Sequence, residues 1–470
     1  MNMRENILQF YDDNLNSKRS ADFVLEQTLR HLRRYQEIVS VLIRNGFGYI
    51  LLEHLSQGGK VTLADADLAQ LGRRLRQALG ELGPTFMKIG QFASTRPDII
   101  PKQVQRELEQ LQDRAPLIRF EDVRWTVEHE LGAPITRLFR EFDPMPLAAA
   151  SIGQVHYAVL HTGEAVVVKV QRPNISTLIQ TDLEIMKDIV NLIEQRLPKT
   201  KKYELQGVLR EFSGWLEKEL DYTAEGKNAE RIAEGFASDP LVVIPRIFWE
   251  FTTRRVLTMT YIDGVKLNDR PKITALHYDE KMIAARLSKA LLQQILRDGF
   301  FHGDPHPGNI FVLSGGRIAF VDFGIVGTLT PVMKQRFANL IRAMTCRNTK
   351  SMLKAMLQLG VVPQDVDLDC LRQDLDSIRR KHLEVPIAQT SLSELVNDLS
   401  NMAFKYQIEL PADFILLGKS LLTLQGIVHE LDPNISLADL AKSFRFQFFK
   451  ERFLFLKWVK KFNRVEKKDD

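Results

Sequence analysis

Along residues 1–80 apolar positions recur three and four apart, as in Ala21–Arg34 and Ile38–Leu55, a spacing that predicts amphipathic helices. Gly58-Gly59 interrupts them, and another helix is expected from about Leu63. From about Thr136 the texture changes to short strand-like runs. Ala165–Val170 is a β-branched run, as a buried strand would be. Two long helical stretches, Ile175–Arg196 and Leu205–Phe236, are expected next, then strands at Leu241–Phe248 and Arg255–Tyr261, then mostly helices. A helical extension, a small β-rich lobe and a helical lobe follow in that order, so the expected fold class is α+β and bilobal.

Composition narrows this little. At 470 residues, 44% hydrophobic and 26% charged, the chain can bury a sizeable core, which excludes wholesale disorder. Only two cysteines occur, Cys346 and Cys370, so a disulfide framework or cysteine metal site is not expected and a reducing cytoplasm fits. Met1–Phe10 lacks the layout of a secretory signal, and Glu5, Asp12 and Asp13 argue against a transit peptide. The longest apolar stretch, Phe414–Val428, is short and interrupted by Lys419, so no transmembrane span is expected.

The strongest chemical signal is Phe301-His302-Gly303-Asp304-Pro305-His306-Pro307-Gly308-Asn309, followed by Ala319-Phe320-Val321-Asp322-Phe323-Gly324. Asp304 and Asn309 on one loop can present a carboxylate and an amide carbonyl to the same phosphates, and Asp322 adds a hard oxygen ligand for Mg²⁺. Kinase-type phosphoryl transfer needs this set: a carboxylate at the attacking oxygen (Asp304) and two groups holding metal on the phosphates (Asn309, Asp322). Upstream, Lys169 ends the strand Val166-Val167-Val168-Lys169, where a lysine would meet the α- and β-phosphates. Its partner should be a helical carboxylate within Glu217–Glu225. His302 and His306 are read as shaping the loop, and Phe86, Phe92, Phe300 and Phe301 as core.

The phosphate-covering loop departs from the G-x-G-x-x-G-x-V pattern. Aligned on Gly153 and Val155, the run Ala148-Ala149-Ala150-Ser151-Ile152-Gly153 places Ala148 and Ala150 where the first two glycines belong. A methyl there disfavours positive φ and close approach of backbone to phosphate. Met259 and Tyr261, on the strand Arg255–Tyr261, are taken with this loop as nucleotide contacts. Gly303 stands where an arginine usually precedes the aspartate, and Gly324 runs through Pro331 straight into a helix with no A-P-E motif. No platform for a peptide substrate is encoded, which disfavours protein phosphorylation in trans.

Together with Lys88-Ile89-Gly90-Gln91, backed by Ser94 and Arg96, these motifs resemble the UbiB/AarF (ADCK) family of atypical protein-kinase-like proteins. Lys88–Gln91 is similar to its K-x-G-Q signature, Ala148–Ser151 to its alanine-rich loop, Glu219-Leu220-Asp221 to its E-x-D motif. The resemblance implies that Lys169 pairs with Glu225, that Lys88 pairs with Glu219 and Asp221, and that Gln91 sits where a peptide would otherwise bind. With the periodicity and charge of the chain, it gives a protein-kinase-like fold and the expected domains 1–80 (helical extension), 81–135 (K-x-G-Q segment over the site), 136–262 (N-lobe with a helical insert), 263–440 (C-lobe) and 441–470 (basic tail). It also implies an ATPase or kinase that uses Mg-ATP and supports the biosynthesis of ubiquinone or another isoprenoid lipid. A small-molecule phosphotransferase and a nucleotide-gated scaffold are the alternatives.

The net charge of +5 resides in the tail: Lys442–Asp470 holds ten Lys/Arg against four Asp/Glu, leaving −1 for the rest. On a helical wheel Phe444, Phe448, Phe455, Trp458, Val459 and Phe462 cluster opposite Lys442, Lys450, Lys457, Lys460, Lys461 and Arg464, although Phe446 and Phe453 fall on the basic side. Such a helix suits an anionic membrane surface. The expectation is a cytoplasmic, peripherally membrane-associated protein. Expected partners are ATP, an isoprenoid lipid or phenolic quinone precursor, and other lipid-biosynthesis enzymes. Nucleic acid is not expected.

Overall fold

The computed structural model describes residues 29–47, 65–94, 96, 100–111, 117–196, 204–360, 362–363, 366–384, 392–408 and 410–432. The aromatic, basic tail lies outside the described residues.

Among the described residues four helices form the N-terminal part: α1 (29–44), α2 (Asp65–Leu82), α3 (Pro84–Ser94) and α4 (Lys102–Leu108). After α5 (Phe120–Leu131) and the single turn α6 (Ile135–Leu138) comes an antiparallel sheet of β1 (Glu141–Ala149), β2 (Gly153–Val159), β3 (Ala165–Gln171) and, beyond the short β4 (Val242–Val243), β5 (Val256–Thr260). Alternation along β3 does the sorting. Val166, Val168 and Val170 are fully buried against Val123 and Val127 of α5 and against Phe139. Lys169, of opposite parity, is left on the other face, toward the cleft.

Between β3 and β5 the chain runs through α7 (Ile175–Arg196), α8 (Leu205–Glu219) and α9 (Tyr222–Gly235). The last two were expected as one helix over Leu205–Phe236. They separate at Leu220-Asp221 because the Asp221 carboxylate caps α9, accepting from the Thr223 backbone N–H at 3.0 Å and its hydroxyl at 2.7 Å. An N-cap residue has non-helical backbone, so a continuous helix cannot pass through it. α7 and α8 do not dock on the sheet. Ile175, Ile179, Phe212 and Leu216 form a separate core with Leu79, Leu82, Phe86, Phe92 and Leu108, which fixes the N-terminal helices to this insert.

The larger lobe begins with β6 (Val265–Lys266), α10 (Arg270–Ala275) and α11 (Glu280–Leu292), then β7 (Phe300–His302), β8 (Ile310–Val312), β9 (Ile318–Phe320) and β10 (Val326–Thr328). The expected strand Leu241–Phe248 shrinks to β4, which pairs parallel with β9, plus one bridge from Ile247 to Met259. α11 runs into a π-helical turn, Gln293–Asp298, whose Gln294 Oε1 accepts from the His302 backbone N–H at 2.9 Å. Five helices complete the described chain: α12 (Pro331–Thr345), α13 (Thr349–Leu359), α14 (Leu368–Leu383), α15 (Leu392–Lys405) and α16 (Ala412–Leu431).

α16 is the one helix among the described residues long and apolar enough, by length and composition, to cross a bilayer. Here its face of Leu417, Leu424, Ile427, Val428 and Leu431 packs into the core of the large lobe beside Ile283, Leu287 and Phe301. Burial at about 25 cal/mol per Å² of apolar surface accounts for its apolar composition.

Candidate active site

Each element delivers its side chain for a local reason. β3 holds Lys169 on the cleft face, and Asp221 starts α9 so that Glu225 falls in its first turn. The two meet: Lys169 Nζ lies 3.0 and 2.8 Å from the Glu225 oxygens, and Glu225 is only 4% exposed. Burial pushes the Lys169 ammonium down, but the carboxylates of Asp322 and Glu225 outweigh it and hold it well above the ordinary lysine value. Burial raises Glu225 above the usual carboxyl range against the pull of the same ammonium. Asp322 is held low by Lys169, against the cost of its enclosure, with help from the Gly324 backbone N–H at 3.2 Å. Solvent reaches Asp322, and the Lys169 and Lys88 ammoniums both act on it. Its φ of 65° is left-handed, a strained backbone for a non-glycine residue.

Asp304 follows β7 on a loop tied to its surroundings at several points. Its backbone N–H donates to His302 Nδ1 at 3.2 Å, and Asn309 Nδ2 donates to its carbonyl at 3.4 Å. Because Nδ1 accepts a backbone N–H, His302 is neutral and carries its proton on Nε2, which donates to the Val321 carbonyl at 3.4 Å. Burial pushes His302 down, against the nearby Asp322 and Asp304 carboxylates. A folded value below the unfolded one, about 6.5, means stability that is full above that value and is lost as pH falls. The melting temperature should therefore drop on going from pH 7.5 to pH 5, and drop less in His302→Asn. Equal slopes would place the pH dependence elsewhere.

The K-x-G-Q segment lies on α3. Lys88 is 6% exposed, forms an ion pair with Glu219 Oε1 and lies 5.9 Å from the Trp215 ring centroid. Gln91 donates to the Leu111 carbonyl at 3.4 Å. Gly90 has a packing reason: a Cβ there would stand 2.3 Å from Leu111 Cδ1 and 2.8 Å from Leu79 Cδ1. The expected pairing of Lys88 with Asp221 is corrected. Asp221 is spent on capping α9, and its other oxygen faces Arg254 Nε at 3.6 Å.

In the alanine-rich turn, Ala148 pairs with Val155 and Ala149 with Gln154 across β1–β2, and the Ala150 N–H donates to the Gly153 carbonyl at 2.8 Å. Val155 is in turn opposite Lys169 on β3. Met259 is buried beside Val167 and Ile247, and the Tyr261 ring packs edge-on against Tyr157 at 5.2 Å.

Three residues were missed from sequence. Arg172 donates to the Ala150 carbonyl at 3.0 Å and braces the turn. Tyr222 is buried, with its ring 5.0 Å below Lys169 Nζ, and burial pushes its hydroxyl well above the tyrosine range. Lys419 of α16 lies 3.2 Å from Asp304 Oδ1. Tyr222 lay inside the acidic run already singled out, and a polar residue there was the available signal. For Lys419 the only signal was a charge inside an otherwise apolar helix.

This donor set fits a nucleotide with Mg²⁺. A lysine stands between two carboxylates, Asp322 is kept ionised, and the Asn309 carbonyl oxygen remains as an acceptor while its NH₂ donates to Asp304. Ser151 Oγ and the Tyr222 hydroxyl are buried beneath the turn with no hydrogen-bond partner, as polar atoms awaiting a ligand would be.

Comparison with known proteins agrees with this geometry. The family model described as the ABC1 atypical kinase-like domain matches residues 110–356, and the UbiB helical domain matches residues 375–436. A probable protein kinase UbiB from Marinobacter nauticus is 35% identical over 377 residues, covering 79% of this chain and 69% of that protein. An uncharacterized protein from Synechocystis is also 35% identical over 374 residues, and the chain spans 64% of its length. The solved complex of Rv3197 with erythromycin from Mycobacterium tuberculosis matches with a TM-score of 0.54 and 27% identity, over 75% of this chain and 90% of that one.

Proposed function

This chain belongs to the ABC1 atypical kinase-like family, and on that premise we propose that it binds Mg-ATP and transfers its γ-phosphoryl group to water or a small hydroxyl acceptor. The observation that carries the reading is the Lys169–Glu225 ion pair at 2.8 Å with Asp322 inside its field, since this trio orients and neutralises a triphosphate. Lys169 meets the α- and β-phosphates. Asp304 accepts the proton of the attacking hydroxyl as the bond from the γ-phosphorus to the bridging oxygen breaks and ADP leaves. Asn309 and Asp322 hold Mg²⁺, which supplies charge neutralisation of the phosphates. Only Ile325–Thr330 separates Gly324 from α12, too short a stretch for a peptide-binding platform, which supports a substrate other than protein.

The physiological role we propose is support of ubiquinone or other isoprenoid-lipid biosynthesis at a membrane surface. The UbiB names among its relatives and the aromatic, basic tail support it. The test is ATP hydrolysis by the wild type and Asp322→Asn, each with and without vesicles of phosphatidylcholine and phosphatidylglycerol. Asp322→Asn should lower turnover at least about a hundredfold, because an amide no longer anchors the metal, and the vesicles should raise wild-type turnover. Mg-dependent nucleotide binding with no turnover under any condition would leave a nucleotide-gated scaffold as the function.

A further inference from the structure

Lys419 sits on α16, far along the chain from the loop it touches. Its ammonium is 3.2 Å from Asp304 Oδ1, and both side chains are about one third exposed, 34% and 33%, so the pair lines the cleft wall. The neighbourhood is built rather than incidental. The adjacent Ser420 hydroxyl, fully buried, reaches the carbonyls of His302 and Gly303 at 3.2 and 3.0 Å and that of Leu416 at 2.9 Å. α16 is thus latched to the backbone immediately before Asp304, and Lys419 is held over that carboxylate. A third element joins from the other side. Glu109, the exposed residue that ends α4, has its carboxyl raised by desolvation and pulled down by the Lys419 ammonium.

The catalytic loop itself carries no cation between Asp304 and Asn309: the run is Asp-Pro-His-Pro-Gly-Asn. The transferring phosphoryl group carries negative charge spread over its three equatorial oxygens, and a cation beside them stabilises it. We propose that Lys419 is that cation: a catalytic residue, supplied by the last described helix, which binds the transferring phosphoryl group while Asp304 holds its ammonium in place. Glu109 competes for the same ammonium from the N-terminal helices. The inference deepens the phosphoryl-transfer reading and rests on it.

The experiment is steady-state ATP hydrolysis by the full chain as wild type, K419Q, K419R, E109Q and E109Q/K419Q, with melting temperatures alongside. Loss of a charge that acts on the transferring group should lower kcat of K419Q by about tenfold to a hundredfold and leave KM for Mg-ATP within about threefold. K419R, which keeps the charge, should recover at least about fivefold of that loss. E109Q should raise kcat by about two- to fivefold in the Lys419 background and change nothing in K419Q. A structural role alone would not produce that dependence of one substitution on the other. K419Q with kcat within about twofold of wild type overturns the proposal, as does a change confined to KM. Should K419Q melt well below wild type, a folded K419R with no more activity than K419Q overturns it equally. A wild type that binds Mg-ATP without turning it over fails at the earlier step and removes the phosphoryl-transfer reading itself.

Discussion

Lys169→Met is expected to abolish ATP turnover and to destabilise the fold by about 3–5 kcal/mol at neutral pH, the usual cost of stranding one member of a buried ion pair. Glu225 is left 4% exposed with its counter-ion gone. Burial already raises its carboxyl, and without the ammonium that pulls it down it rises further. A folded value above the unfolded one, about 4.3, contributes stability that is full below that pH and lost as pH rises through the folded value. The deficit of Lys169→Met should therefore be smallest near pH 5 and grow toward pH 8. Adding Glu225→Gln removes the stranded charge, so the double variant should recover much of the stability and none of the turnover. Urea midpoints at the two pH values measure this directly. A deficit that is flat with pH and untouched by Glu225→Gln would mean that Lys169 does not hold that carboxylate.

The second large effect is expected at Gly303. A Cβ there would stand 2.8 Å from Ile325 Cγ2 and 2.8 Å from Leu416 Cδ2, closer than carbon atoms approach. Gly303→Ala should cost about 1–3 kcal/mol by overpacking, and Gly303→Arg should exceed the upper end of that range. Turnover should fall with stability, because Ser420 binds the carbonyls of His302 and Gly303 and any shift of α16 moves Asp304. Leu416→Ala relieves one of the two contacts, so it should recover part of the Gly303→Ala loss while lowering stability by itself. The check is a set of melting temperatures for the two single variants and the double. If Gly303→Arg melts with the wild type, steric exclusion is not why this position is glycine. The same contact gives a packing reason for the missing arginine. In this fold Leu416 of α16 and Ile325 crowd the Cβ that any side chain at that position would begin with.

Much of the site was legible because its parts are local. Asp304 and Asn309 belong to one loop, Asp322 follows the next strand, and a period of two along Val166–Lys169 decides which face the lysine takes. Such features depend on backbone geometry over a few residues. The kinase-like fold was readable for the same reason, as a succession of periods along the chain. Element ends were less so. Nothing in the apolar spacing of Leu205–Phe236 marked the break at Asp221, because a capping aspartate and a solvent-facing helical aspartate look alike until the backbone is placed. The E-x-D motif accordingly splits into two jobs, with Glu219 meeting Lys88 and Asp221 starting α9.

By itself, then, the sequence determined the fold class and the local motifs from which the candidate site is built. The tertiary structure alone decided that α16 packs its apolar face into the large lobe, that its Leu416 crowds a Cβ at Gly303, and that it brings Lys419 to Asp304. The physical reason is range. Hydrophobic periodicity says which face of a helix will be buried, but the partner, crossing angle and register that bring two distant residues within 3.2 Å are set by how whole side-chain surfaces interlock.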